Sequence, residues 1–212
     1  MDLLAQFVDV VLHVDRHLVE FLSNYGLWVY VLLFAIIFAE TGFVITPFLP
    51  GDSLLFAAGT LAAGSGLDIQ WLVPLLIAAS FGGDNTNYWI GYHVGPRIFR
   101  RTSSRLLNLE YLERAHAFYE RHGGKTVFFA RFMPILRTFA PFVAGIGRMP
   151  YGRFLAFSFS GAVVWIGLFT LAGYYFGHLP VVRENLVAVM MGIIVVSVIP
   201  GVIAWLRHRF AR

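Results

Sequence analysis

The sequence lacks cysteine and is poor in charged residues, and both shortages narrow what the protein can be. Without cysteine there is no disulfide, no thiolate nucleophile and no Cys-ligated metal site. Charged residues make up 13% of the 212 residues, against roughly 25% in soluble domains. Apolar residues make up 58%, and the mean hydropathy is +0.71. This composition excludes a disordered chain and predicts an integral membrane protein of the all-α class.

Missing patterns also exclude classes of chemistry. The seven histidines are scattered along the chain, and neither a metal nor a cofactor is expected. The stretch Gly51-Asp52-Ser53-Leu54 matches the motif of a group of serine esterases, but no Asp-x-x-His occurs to supply an oriented base. The protein is therefore not expected to be an enzyme. The 16 basic residues outnumber 12 acidic ones, and in a membrane protein this excess marks loop orientation rather than nucleic-acid binding.

Three apolar segments have the length of a membrane span, which needs about 20 residues. Residues 154–177 and 185–206 contain no charged residue. Residues 71–95 are interrupted near the centre by Gly82-Gly83-Asp84-Asn85. Two further segments have amphipathic spacing. Residues 1–25 are predicted to form an interfacial or half-buried helix, and residues 108–122 a helix on the cytoplasmic surface of the membrane.

Two other apolar regions are too interrupted to be straight spans. Each is predicted to be a re-entrant hairpin, because proline breaks a helix and a charge at membrane depth must face protein or water. The first, residues 27–66, is interrupted by Glu40, Pro47, Pro50, Gly51 and Asp52. The second, residues 126–147, is interrupted by Arg131, Pro134, Arg137 and Pro141.

The basic residues predict the orientation. Residues 96–125 contain seven basic and three acidic residues, and the chain ends in an Arg-rich tail. Because cytoplasmic loops are rich in Lys and Arg, both segments are placed on the cytoplasmic side. The side of the N-terminus stays open. The core, residues 26–178, then contains two opposed hairpins, each followed by a span, and the two spans run in opposite directions.

The two halves of this core resemble each other in sequence. Phe38-Ala39-Glu40 resembles Phe129-Ala130-Arg131, and Phe-Ala-Ala-Gly59 resembles Phe-Val-Ala-Gly145. With opposite orientations, the halves predict an inverted-topology repeat, in which a substrate site lies near the midplane at paired broken helices.

The charges of the two hairpins are opposite in sign. Glu40 and Asp52 are proton-coupling candidates, because a carboxylate at membrane depth can exchange protons. Arg131 and Arg137 are substrate-binding candidates, since guanidinium groups suit phosphate or carboxylate. An alternative, compatible interpretation is that these carboxylates and guanidiniums pair to dock the hairpins. The residues predicted to line a cavity or form a hinge are Pro47, Pro50, Gly51, Asp84, Pro134 and Pro141.

Together these motifs resemble the bacterial DedA family, also called VTT or SNARE-associated membrane proteins. The resemblance spans about residues 26–177. It rests on Phe38-Ala-Glu-Thr-Gly42, Pro47-Phe-Leu-Pro-Gly-Asp-Ser53, Gly83-Asp84 with Tyr88 and Gly91, and Arg131-Phe-Met-Pro-Ile-Leu-Arg137 leading into Ala144-Gly145.

The resemblance implies facing re-entrant hairpins, a bacterial inner-membrane location and proton-motive-force-dependent movement of lipid phosphates. Recycling of undecaprenyl phosphate is the first expectation. The family's functional acids map onto Glu40 and Asp52, and its arginines onto Arg131 and Arg137. The expected partners are the bilayer, a polyprenyl phosphate or other anionic lipid, protons and a possible second copy of the chain. Two alternatives stay open: a proton-coupled transporter of a small ion or solute, and an envelope scaffold that transports nothing.

Overall fold

Helices make up nearly all of the described part of the chain. The structure, a computed structural model, describes residues 26–43, 51–64, 67–101 and 123–180, together with 182, 185, 188–189 and 191–193. The predicted helices 1–25 and 108–122, most of the predicted span 185–206, and the hinge candidates Pro47 and Pro50 lie outside these residues.

The prediction of an all-α fold is confirmed for the described residues, which contain no strand. Six helices are present in chain order: α1 Trp28–Gly42, α2 Gly51–Gly64, α3 Ile69–Arg101, α4 Lys125–Ala130, α5 Pro134–Ile146 and α6 Tyr151–Phe176.

Helix α6 matches the predicted span 154–177. It has 26 residues, and an 18-residue window within it reaches a mean hydropathy of 2.0. At about 1.5 Å per residue such a helix exceeds the thickness of a hydrocarbon core. Within the described ranges it is the one helix whose length and apolarity both suit a membrane crossing.

Helix α3 contains the predicted span 71–95 and runs through its polar centre without a break. The polar side chains there bond to the preceding turn: Asn85 Nδ2 donates to the Phe81 carbonyl at 2.7 Å, and Thr86 Oγ1 donates to the Gly82 carbonyl at 2.9 Å. Because these side chains are satisfied within the helix, the interruption in the sequence does not become an interruption in the backbone.

Each predicted hairpin region contains two helices. Region 27–66 contains α1 and α2, and the residues that join them are not described. In region 126–147, Arg131–Met133 separate α4 from α5. Pro134 opens α5, a position that suits proline because a first-turn N–H has no intrahelical partner. Pro141 lies inside α5 and cannot donate to the carbonyl of Arg137, four residues earlier. That these helix pairs re-enter the membrane remains a prediction.

The chain divides into two compact units. Unit 1 comprises the residues up to Ile36, Pro50–Leu76 and the residues from Ile166 onward. Unit 2 comprises Ile37–Leu49 and Ile77–Trp165.

In unit 1, α2 packs directly on the last turns of α6. A Cβ added to Gly59 would lie 2.0 Å from the carbonyl oxygen of Thr170, and one added to Gly173 would lie 2.0 Å from that of Phe56. Thr60 Oγ1 donates to the carbonyls of Phe56, at 3.0 Å, and of Gly173, at 3.3 Å. These backbones approach so closely that neither glycine leaves room for a side chain.

Unit 2 repeats this contact between α5 and α3. A Cβ on Gly145 would lie 2.0 Å from the carbonyl oxygen of Tyr88, and one on Gly91 would lie 2.2 Å from that of Phe142. The offsets are the same as in unit 1: in each case the opposing carbonyl belongs to the residue three positions before the partner glycine. Each unit therefore packs the second helix of a predicted hairpin region on a long helix through the same reciprocal glycine contact.

Candidate functional site

Unit 2 buries an ion pair between the end of α1 and the start of α5. An Arg137 guanidinium nitrogen, Nη2, donates to Glu40 Oε1. The Glu40 residue has no exposed surface, and Arg137 is 3% exposed. Pro134 places Arg137 in the first turns of α5, where the helix has just begun. The predicted interruptions thus place the guanidinium against the carboxylate.

A second buried ion pair joins Arg131 to Asp84 of α3. Arg131 Nη2 donates to Asp84 Oδ2, and Ser158 Oγ donates to the same oxygen at 2.6 Å. Arg131 Nη1 donates to Ser80 Oγ at 2.6 Å. Arg131 lies in the break between α4 and α5. Its side chain is held by a hydroxyl and a carboxylate of α3, and a hydroxyl of α6 donates to the same carboxylate.

Both guanidiniums share one aromatic surface. The Cζ atoms of Arg131 and Arg137 lie 5.8 Å and 4.4 Å from the ring centroid of Trp165, which is fully buried. Gly161 lies one turn earlier on α6, and a Cβ there would be 3.3 Å from Arg131 Nε. A cation above an aromatic face in a desolvated site contributes about 2 kcal/mol, so Trp165 can stabilise either cation when its carboxylate partner is displaced.

Asn87 connects the helices around these pairs. Its Nδ2 donates to the Thr41 carbonyl at the end of α1, at 3.1 Å, and to the Thr138 carbonyl of α5, at 2.7 Å. Thr41 Oγ1 in turn donates to the Ile37 carbonyl at 2.9 Å and to the Ser80 carbonyl at 3.3 Å. These bonds fix the helix ends that present Glu40 and Arg137.

Four of the predicted site residues meet in unit 2: Glu40, Asp84, Arg131 and Arg137. Glu40 pairs with Arg137, while Arg131 pairs with Asp84, which the sequence placed among the cavity or hinge residues. The other predicted acid, Asp52, is buried in the first turn of α2, next to Gly51, and belongs to unit 1. Of the remaining hinge candidates, Pro134 and Pro141 both lie in α5 with Arg137.

Sequence reasoning missed Trp165 and the two serines that hold the Arg131 network. A tryptophan in an uncharged span gives no signal, and neither does Ser158. Ser80, Asp84 and Asn87 do carry one, because their spacing of four and then three residues lines one helical face with polar groups.

The arrangement is a closed, charge-balanced cluster of two cations and two anions. Guanidinium groups are strong ligands for phosphate and carboxylate, and here both are engaged by carboxylates inside the protein. An anion that reached them would have to displace Glu40 or Asp84, and the displaced carboxylate would need a proton or another partner, because an unpaired buried charge is costly.

Comparison with known proteins gives the chain its family. The family model described as VTT domain matches residues 49–175. The chain belongs to the VTT-domain (DedA) family. It is 51% identical over 213 aligned residues, 100% of this chain and 97% of the relative, to Protein DedA of Escherichia coli strain K12.

Two further relatives share a smaller part of the sequence. An uncharacterized membrane protein of Mycobacterium leprae is 43% identical over 82% of this chain and 78% of its own length. The inner membrane protein YghB of Escherichia coli strain K12 is 33% identical over 74% of this chain and 72% of its own length. No solved structure matches the chain. The sequence resemblance to the DedA family is thus confirmed, and with it the membrane character of the protein.

Proposed function

We propose that this protein is a bacterial inner-membrane transporter of lipid phosphates, and that it returns undecaprenyl phosphate across the bilayer in support of envelope homeostasis. The observation that carries the proposal is the buried pair of guanidiniums, Arg131 and Arg137, over the face of Trp165. Two adjacent arginines suit a phosphate headgroup, which can accept hydrogen bonds from both. The polyprenyl tail would stay in lipid.

The carboxylates supply the other half of the proposed cycle. A headgroup that binds Arg137 displaces Glu40, whose carboxylate then takes up a proton. Asp52 is proposed as a further proton-coupling residue in unit 1, where it is 8% exposed. In the proposed cycle, the arrangement with both guanidiniums on carboxylates precedes binding of the headgroup.

The glycine contacts support the proposed architecture. The same offsets join α2 to α6 in unit 1 and α5 to α3 in unit 2, as expected if the units descend from one repeated element. We propose that the two are inverted repeats containing re-entrant hairpins, with the C-terminus in the cytoplasm because the flanking residues are basic. The name of the relative YghB, an inner membrane protein, supports the proposed location.

Proteoliposomes test this function directly. Purified protein is reconstituted with undecaprenyl phosphate, and movement of the phosphate between leaflets is followed with and without a proton gradient. We expect gradient-dependent movement in the wild type and its loss in Glu40→Gln and Asp52→Asn. Asp68→Asn, which neutralises an exposed acid of unit 1, is the matched control and should behave as the wild type.

The alternatives predict different results. If a soluble anion is transported with the gradient but undecaprenyl phosphate does not move, the protein is a solute transporter. If folded wild-type protein moves neither, the scaffold function gains support. Intact gradient-dependent transport in Glu40→Gln and Asp52→Asn would contradict the assigned role of the acids.

A further inference from the structure

The two carboxylate oxygens of Asp84 differ in their hydrogen bonds. Its carboxylate is fully buried, and Oδ2 accepts hydrogen bonds from both Arg131 and Ser158. Its other oxygen, Oδ1, is buried and accepts no hydrogen bond from the described residues. One oxygen is therefore held in place while the other has an open lone pair. A proton on Oδ1 would leave the Ser158 bond to Oδ2 intact.

Among the described residues, the charged groups near Asp84 are one direct partner, Arg131, and one neighbouring ion pair, Arg137 with Glu40. Arg131, between α4 and α5, is its direct partner, and Arg137 and Glu40 form the neighbouring pair across the face of Trp165. From α6 the contact is a neutral hydroxyl, that of Ser158. Arg131 is thus the cation that directly compensates the Asp84 carboxylate in the described structure.

We propose that Asp84 is the proton-accepting switch of Arg131: when an anionic phosphate takes Arg131, Asp84 gives up the guanidinium and binds one proton on Oδ1. This inference rests on the proposed function and adds a third acid to it. A buried carboxylate that loses its counter-charge is costly and is neutralised by a proton. By linkage, anion binding and proton binding then favour each other.

The contacts of Arg131 allow this exchange of anionic partners. Arg131 is the C-cap residue of α4, at the start of the three-residue break before α5, where each backbone N–H donates to the carbonyl three residues earlier. Ser80 Oγ and the Trp165 face are neutral partners that remain when Asp84 is released. The guanidinium can therefore change its anionic partner while keeping two of its contacts.

Infrared difference spectroscopy on protein labelled with ¹³C-aspartate reads this proton. The first arm needs no ligand: Arg131→Gln removes the counter-charge. We expect a protonated-carboxyl band of aspartate that is absent from the wild type at neutral pH and absent again in Arg131→Gln/Asp84→Asn. Asp68→Asn should leave the band of Arg131→Gln unchanged. Folded Arg131→Gln protein without that band would overturn the inference.

The second arm uses the wild type and so does not depend on the folding of a variant. Farnesyl phosphate in phosphatidylcholine nanodiscs and inorganic phosphate in solution are the two probes, and they separate a lipid headgroup from free phosphate. We expect the aspartate band to appear on binding, together with uptake of a proton by Asp84 in addition to the one assigned to Glu40. Asp84→Asn should still bind the probe but take up one proton fewer per anion. A probe that binds without the band or the proton contradicts the coupling.

The two failures are distinguishable. If neither probe binds, the proposed lipid-phosphate function fails and the coupling fails with it, whereas a band in Arg131→Gln would still show that Arg131 alone keeps Asp84 ionised. If a probe binds and drives the same proton uptake in Asp84→Asn as in the wild type, the proposed function stands, and the acid that responds to Arg131 is not Asp84.

Discussion

Unit 1 and unit 2 pack their helices through the same reciprocal glycine contact but differ in what they bury beside it. Unit 2 buries four charged side chains of both signs: Glu40, Asp84, Arg131 and Arg137. In the described part of unit 1, Asp52 is the buried charged side chain. Because unit 1 makes the same helix contact with far less buried charge, we infer that the ion pairs of unit 2 are not required for helix packing and serve the proposed transport.

The sharpest test of this difference compares single and paired neutralisation in unit 2. Glu40→Gln or Arg137→Gln alone leaves an uncompensated buried charge and should lower the free energy of unfolding by about 3–5 kcal/mol. The double variant Glu40→Gln/Arg137→Gln removes both charges and should recover most of that loss. Thermal unfolding in detergent measures both, with Asp68→Asn as the exposed control. Equal loss in single and double variants would mean that the pair itself stabilises the fold.

The glycine contacts should fail alike in both units. Gly59→Val and Gly145→Val push a side chain into a main-chain carbonyl, at 2.0 Å from Cβ in each case. Overpacking of this kind costs about 1–3 kcal/mol, and more where the backbone must move. We expect lower melting temperatures and less monodisperse protein on size exclusion. Gly167→Ala of α6, whose Cβ would meet no heavy atom within 4 Å, is the control. A normal melting temperature in only one of these two variants would show that the two glycine contacts are not equivalent.

Trp165→Leu tests the shared aromatic surface of unit 2. Loss of the ring beneath Arg131 and Arg137 should cost about 2 kcal/mol for a desolvated cation–π contact, besides weakening anion binding. Trp71→Leu is the comparison in unit 1, since that side chain is 73% exposed and should be neutral in the same unfolding assay. An unchanged melting temperature and unchanged anion binding in Trp165→Leu would contradict a stabilising role of Trp165 for the two guanidiniums.

The smallest effect is expected from substitutions in a matched pair of threonines. Thr60 in unit 1 and Thr41 in unit 2 each donate to the carbonyl four residues earlier and to a carbonyl of a neighbouring helix at 3.3 Å. Thr60→Val and Thr41→Val keep the shape and remove the hydroxyl, so each should cost about 0.5–1.5 kcal/mol. Unfolding free energies that differ by more than this range would show that the units tolerate polar loss differently.

Much of this fold was predictable from the sequence because hydropathy, proline and glycine act locally. The apolar run that became α6, the break before Pro134 and the burial of Glu40 and Arg137 follow from composition and from the price of charge in an apolar setting. Gly59 and Gly145 were also visible, as matched positions in the two similar halves of the sequence.

The pairing of the charges was not predictable. Which carboxylate reaches Arg131 depends on how α3 and α6 face the break after α4, and no local pattern encodes that. Asp84 was therefore assigned to a cavity or hinge, although the polar face it shares with Ser80 and Asn87 marked it as facing protein. Ser158 and Trp165 lie in an apolar helix whose sequence does not distinguish its site face from its other faces.

We infer that the buried charges of unit 2 serve transport rather than the fold, and one variant tests this most directly. Glu40→Gln/Arg137→Gln is reconstituted beside the wild type, and gradient-dependent movement of undecaprenyl phosphate is measured on protein shown to be folded. We expect the double variant to have a melting temperature near that of the wild type and to show no transport. Transport at the wild-type rate by the folded double variant would contradict it.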